Sequence, residues 1–169
     1  MIKNSTHILL ESLTKLFNFV FEKGEFPKIW NETFIVPLHK TGSKSDPSNY
    51  RGLSISSNLG KAFNKIIHLR LIKFTLDNNQ LSKNQIGFME HSRTADHIFS
   101  LKSIIEHYKL KKKKVYAAFI DLKKAFDTIW RLGLFYILLK NGVPKKIFNI
   151  IHSMYSNTIN RLKFNEGLS

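Results

Sequence analysis

A helix-rich α/β fold is what the amino-acid sequence predicts, and three observations carry that expectation. Five segments space their apolar residues along one face of a helix. Two short extended segments flank a loop dense in Gly, Ser, Asp, Asn and Pro, the pattern of a hairpin. One run, Val115 to Ile120, is apolar at every position, which suggests a strand covered on both faces, with a short buried helix as the other reading. The chain of 169 residues is about one domain long, and its 14 Phe and 43% hydrophobic content suffice for a sizeable core. No internal repeat and no long linker interrupts it.

In chain order, Ile8, Leu9, Leu13, Leu16, Phe17 and Val20 recur at helical spacing behind Ser5 and Thr6, either of which could cap. Residues 6–23 therefore read as an amphipathic helix that Gly24 ends. Residues 32–39, "ETFIVPLH", read as a short strand, and Pro37 argues for an edge position because it has no N–H to offer a neighbour. The loop 40–52, "KTGSKSDPSNYRG", joins that strand to "LSIS" as a hairpin with a basic tip. Residues 58–76 are helical, with Leu59, Phe63, Ile66 and Ile67 on one side and lysines on the other, and residues 94–110 form a second such helix. Lysine fills five of the six positions from Lys109 to Lys114; this is a solvated turn, a contact for nucleic-acid backbone or a nuclear address. Two more helices follow, near 128–140 and, after Asn141-Gly142 and Pro144, over 145–155.

Charge narrows the function classes. With 27 Lys and Arg against 12 Asp and Glu, the chain carries +15 and attracts phosphate backbones while deterring basic partners. Nucleic acid is the first partner this suggests, and a basic structural protein of ribosomal or histone type is the alternative. No cysteine is present, so no disulfide framework or thiolate metal site can form, which fits an intracellular setting in the nucleus or cytoplasm. The longest apolar runs fall far short of the roughly 18 residues a membrane span requires, and Glu11 and Lys15 break the N-terminal stretch where a secretory signal would be apolar. No membrane partner is expected.

The expected strand 115–120 stops at a carboxylate, Asp121. Sites in α/β folds gather at the carboxyl ends of strands. Asp121 therefore reads either as a ligand for Mg²⁺, a hard cation held by one or two carboxylates plus substrate phosphates, or as a helix N-cap. Spacing alone leaves both open. A two-metal phosphoryl-transfer site would need further carboxylates from another strand. The seven histidines show no His-Glu-x-x-His pattern, and "GSKS" at 42–45 lacks the remainder of a phosphate loop.

Three segments together resemble one family. "FIDLKKAFDTI" (residues 119–129) is similar to the first catalytic motif of reverse transcriptases of non-LTR (LINE-type) retrotransposons, an Asp on a palm strand followed by Ala-Phe-Asp. "PSNYRGLSISSNLGKAFNKII" (47–67) and "QIGFMEHSRTADHIFSLKSII" (85–105) resemble two fingers motifs of the same family, in the same order, and "FPKIWNETFIVPLHKTG" resembles its entry to the fingers. The resemblance implies a partial domain, with about residues 1–114 as fingers and about 115–169 as the start of an incomplete palm sheet.

The same resemblance implies roles. Asp121 would be the catalytic, metal-binding carboxylate for Mg²⁺, with Asp127 in support. Phe126 would be the steric gate that favours dNTP over rNTP. Lys40 and Arg51 would contact the triphosphate, a point charge and a planar pair of donors respectively. Gln85, Gly87 and Arg93 would lie near template or nucleotide, although Met89, Glu90 and His91 stand where relatives often carry basic residues. Implied partners are an RNA template, a DNA primer, dNTP and the rest of a polyprotein with the remaining palm and a thumb; whether an endonuclease is part of it is left open.

After Asp127 the only acid is Glu166, so neither the Asp pair of the second catalytic hairpin nor the Gln-Gly loop of the family is expected here. Two functional readings follow. The chain is part of an RNA-directed DNA polymerase, inactive by itself, or it is a catalytically dead nucleic-acid-binding remnant of one. An incomplete palm sheet would leave an apolar edge unpaired and the chain marginally stable or prone to aggregate.

Overall fold

The computed structural model describes residues 7–122, 125, 126, 128–156, 158–164, 167 and 168. The chain divides into two compact units, one formed by Met1–Phe74 together with Trp130–Ser169 and the other by Thr75–Ile129. The fold is helix-rich α+β.

The first unit holds helix α1 (His7–Lys23), the short α2 (Lys28–Asn31), strands β1 (Glu32–His39) and β2 (Tyr50–Ser56), and most of α3 (Asn58–Asp77). It resumes with α5 (Arg131–Lys140), α6 (Lys145–Ser156), β3 (Ile159–Phe164) and the two-residue β4 (Gly167–Leu168). Strand order is β2-β1-β3-β4: β1 pairs antiparallel with β2 and parallel with β3, and β3 pairs antiparallel with β4. The sheet corrects one expectation. β1 is an interior strand rather than an edge, and Pro37 is tolerated because the register with β3 spans Glu32–Ile35, leaving Pro37 two residues past it.

Periodicity becomes packing in this unit. Ile147, Ile150, Ile151 and Met154 follow the i, i+3, i+4, i+7 pattern of one helical stripe, and that stripe faces the core. Val20 of α1, Phe63 and Ile67 of α3, and Leu138 of α5 join it with Phe26, Trp30 and Val143. Phe63 and Ile150 are 1% and 0% exposed. Burial of such side chains stabilises by about 1.5–3 kcal/mol each. Phe17, Phe26, Trp30 and Phe63 pack ring on ring with centroids 5.5–6.1 Å apart in edge-on and tilted arrangements, which suit the ring quadrupoles.

Polar contacts tie the two chain segments of this unit together. The Phe26 N–H donates to Ser153 Oγ at 3.0 Å, and the buried Asn31 donates its amide to the Ser153 carbonyl at 3.2 Å, so the buried amide is hydrogen-bonded. Thr33 Oγ1 donates to Asn160 Oδ1 at 2.5 Å, and Lys146 pairs with Glu22.

The second unit holds the last turn of α3, the connection 78–93, α4 (Thr94–Leu110) and the segment that leads to Ile129. None of its described residues is buried. Here the expected strand at Val115–Ile120 is not formed, and neither is the alternative helix. Tyr116, Phe119 and Ile120 are 88%, 85% and 90% exposed. A run apolar at every position needs cover on both faces and a hydrogen-bonded neighbour on each side, and no described strand supplies them. The helix expected near 128–140 begins at Arg131.

Candidate functional site

The β1–β2 hairpin sets two cations side by side. Leu38 pairs with Arg51 and His39 with Tyr50, and the Lys40 N–H donates to the Asn49 carbonyl at 2.9 Å, one step further along. Because side chains alternate across a strand, Lys40 and Arg51 are diagonal neighbours on one face while His39 and Tyr50 take the other. Both cations are exposed and outside any ion pair among the described residues.

The tip beside them is densely bonded. Gly42 sits at φ +90°, and a Cβ there would come within 2.7 Å of Asn49 Nδ2. Asn49 Nδ2 donates to the Ser43 carbonyl at 3.0 Å, and the Tyr50 hydroxyl donates to the Lys44 carbonyl at 2.9 Å. His39 Nε2 lies 3.1 Å from the Gly42 carbonyl, its ring edge-on to Tyr50 at 5.2 Å. Asp46 Oδ1 accepts the Ser48 N–H at 2.8 Å in an Asx turn that opens a single 3₁₀ turn at Pro47–Asn49. Hydrogen bonds from Ser48, backbone first and side chain second, hold the Asp46 carboxyl below the usual carboxylate range. These bonds fix the loop's conformation from within, which lowers the entropy a bound anion would have to overcome. Composition alone marked this stretch as a loop. "DPSN" and Gly42 were the signals for its tight geometry, and nothing in the sequence announced the His39–Tyr50 pair.

The remaining positions lie in the second unit. Gln85 donates its N–H to the Ser82 carbonyl at 3.0 Å and its side-chain amide to the Gly87 carbonyl at 3.4 Å. Gly87 has open space where a Cβ would stand. Arg93 is the N-cap of α4: its N–H donates to Asp96 Oδ2 at 2.6 Å, one half of a capping box, and its guanidinium stays exposed. Phe126 is exposed and meets the ring of Phe88 edge-on at 6.2 Å. Phe88 and His91 both adopt positive φ, 61° and 64°. Phe88 was not anticipated as a neighbour of Phe126, and its sequence context carries no signal for it.

Asp121 is exposed and stands at the end of an unpaired segment rather than a strand. No described helix begins between it and Arg131, so its reading as a helix N-cap is not met among the described residues. Asp127 lies outside the described residues. Among the described residues no three His, Asp or Glu side chains gather as a metal would require. Asp121 contributes a single carboxylate, which does not fit the several oxygen ligands a divalent cation takes.

No described helix is long and apolar enough to cross a membrane. The model of the family described as reverse transcriptase (RNA-dependent DNA polymerase) matches residues 38–168. The RNA-directed DNA polymerase from mobile element jockey of Drosophila melanogaster is 30% identical over 145 residues, which are 85% of this chain and 16% of the relative. The probable RNA-directed DNA polymerase from transposon BS of the same species is 32% identical over 143 residues, 83% of this chain and 16% of the relative. A retrovirus-related Pol polyprotein from the type-1 retrotransposable element R2 of Nasonia vitripennis is 28% identical over 153 residues, 90% and 14% respectively. The chain therefore spans only a small fraction of the length of these relatives. Since the family match takes in the hairpin tip, α3, α4, Asp121 and the last strands, the chain belongs to the reverse transcriptase family, with non-LTR retrotransposon polymerases as its relatives.

Proposed function

We propose that this chain supplies the nucleotide-binding front part of an RNA-directed DNA polymerase that adds dNTP to a DNA primer on an RNA template. The observation that carries the reading is the hairpin, where Lys40 and Arg51 share one face beside a tip already fixed by its own hydrogen bonds. Triphosphate is the ligand such a pair suits: guanidinium donates in a planar fork and ammonium adds a point charge. Phe126, with Phe88 against its ring, is the proposed sugar gate, and Gln85, Gly87 and Arg93 are the proposed template-side contacts. Asp121 is the proposed catalytic carboxylate and Asp127 its support. Mg²⁺ is the cation in this reading, with its remaining ligands on polypeptide beyond these residues. That polypeptide, the rest of a longer polyprotein, is also the proposed cover for Val115–Ile120, and the assembled enzyme works in the nucleus or cytoplasm.

Equilibrium binding of a fluorescent dNTP to the 169-residue chain tests the hairpin. Arg51→Ala and Lys40→Ala should each weaken binding about tenfold, the size of one charge-assisted contact. Unchanged binding in both variants would sink the nucleotide-binding reading and leave a nucleic-acid-binding remnant. Primer extension by the same chain should be nil, and dNTP incorporation lost on Asp121→Ala would contradict the incomplete site.

A further inference from the structure

Among the described residues, four helices close on a residue in the left-handed conformation, and one of them uses the wrong kind of residue. Gly24 ends α1 at φ +69°, Asn79 ends α3 at +51°, and Gly142 ends α5 at +71°. Glycine and asparagine are the residues that tolerate this conformation. At the end of α4 the residue is Lys112, at φ +54°.

The hydrogen bonding makes the comparison close. After α5, the Gly142 N–H donates to the Leu139 carbonyl at 3.0 Å and the Val143 N–H to the Leu138 carbonyl at 3.1 Å. After α4, Lys112 donates to Lys109 and Lys113 to Tyr108, both at 2.9 Å. The two ends share one capping motif. In α5 the apolar contact that accompanies this motif is present, since Leu138 and Val143 both belong to the core. In α4 the equivalent positions are Tyr108, 41% exposed, and Lys113, also exposed. The α4 end thus lacks the glycine and the apolar residue that follows it in α5, and lysine stands in both places.

The helix dipole explains only part of this. It favours cations in the last turn, such as Lys109, and its effect fades beyond that turn. Lys112, Lys113 and Lys114 remain, each exposed, and no described carboxylate pairs with the run; the nearby Glu106 faces Lys102 at 3.7 Å. The run passes from the helix through the left-handed turn at Lys112 into irregular backbone from Lys113. Its five lysines are therefore not laid out along one extended strand, as a protein groove for basic peptides would read them. A flexible chain of phosphates, which can bend from one cation to the next, is the occupant that this uncompensated charge suits.

We propose that the end of α4, Lys109 to Lys114, is a docking site for a polynucleotide phosphate backbone, carried by a different unit of the chain from the hairpin cations. The proposal goes beyond the polymerase reading and takes from it only the choice of RNA as probe.

Anisotropy of a labelled single-stranded RNA, titrated with the 169-residue chain over a range of salt concentrations, tests it. Replacing Lys111, Lys113 and Lys114 by Ser together with Lys112→Gly should lower the slope of log K against log salt by about 0.7 for each lysine engaged. Arginine at the same four positions should restore the slope. Lys112→Gly alone should raise the melting temperature while weakening RNA binding, a combination that a purely structural role does not produce. Lys40→Ala with Arg51→Ala in one chain should abolish dNTP binding and keep the lysine contribution to the slope, so the two proposals fail separately. A slope unchanged by the four-residue variant, a loss that arginine does not restore, or no RNA binding by the parent chain overturns the proposal. An unchanged slope accompanied by exclusion of the variant from the nucleus assigns the run to an import receptor instead, and equally overturns it.

Discussion

The two units carry apolar side chains of the same kinds and leave them in opposite places. In the first, Val20, Phe63, Ile67, Leu138, Ile147 and Ile150 sit inside one cluster. In the second, Ile98, Phe99, Ile104, Ile105 and Tyr108 of α4 and Tyr116, Phe119 and Ile120 beyond it are all exposed. Apolar content therefore does not decide burial; a facing partner does. α1, α3, α5 and α6 present stripes to one another, whereas α4 has no helix or strand among the described residues that buries it. Local stability should follow this division, because opening free energy depends on buried apolar contacts.

Hydrogen exchange gives the largest expected contrast. Amides of α6 and of the buried turns of α3 should exchange slower than those of α4 by about a hundredfold or more. Equal protection would show that α4 is packed as firmly as the core and would erase the distinction between the units. Truncation sharpens the same point at single residues. Phe63→Ala should cost about 3–5 kcal/mol in chemical denaturation, and Phe99→Ala should stay within about 0.5 kcal/mol.

Two glycines extend the comparison to the loops. Gly42→Ala forces a Cβ onto Asn49 at a positive φ and should destabilise by about 1–2 kcal/mol, with weaker dNTP binding. Gly87→Ala meets nothing within 4 Å and should leave stability within about 0.5 kcal/mol. The smallest effect concerns acid. Hydrogen bonds from Ser48 hold the Asp46 carboxyl below the ordinary carboxylate range, so its contribution to tip order is complete above that range and disappears as pH falls through its lowered folded-state value. An NMR titration should find the Asp46 midpoint below the ordinary range of an aspartate. A midpoint within or above that range would show that the Asx turn does not persist in solution.

Legibility followed the same division. The stripe Ile147, Ile150, Ile151 and Met154 can be read directly, and α6 lies where it was expected, because helical periodicity is a local property. Residues 32–39 form their strand over the expected range, and the register that sets Leu38 opposite Arg51, with Lys40 bonded to Asn49 two residues on, places the two cations on one face. Three features were not legible. β3 alternates polar and apolar residues too briefly to signal itself, and its parallel partner β1 is more than a hundred residues away. That pairing is also what makes β1 interior despite Pro37. Val115–Ile120 has the composition of a buried strand, but composition cannot say whether the covering layers are present. Of the site, Lys40 and Arg51 were singled out only through the family resemblance, while the tip bonds and the Phe88–Phe126 contact depend on backbone geometry that residue type only partly encodes.

The hydrogen bond from Phe26 to Ser153 spans 127 positions, and it sets a timetable for synthesis. At about 5–20 residues per second, a ribosome adds Ser153 roughly ten seconds after Phe26. During that interval Phe26, Trp30 and Phe63 have left the point of synthesis without Ile147 and Ile150 to cover them, so the nascent chain is a natural client for chaperones. Chain inserted between Phe74 and Trp130 lengthens the wait but adds only about 0.6 kcal/mol of closure entropy for each doubling of its length. The second unit can therefore change size at little thermodynamic cost to the first, and its growth is felt mainly in the time the first unit spends unfinished.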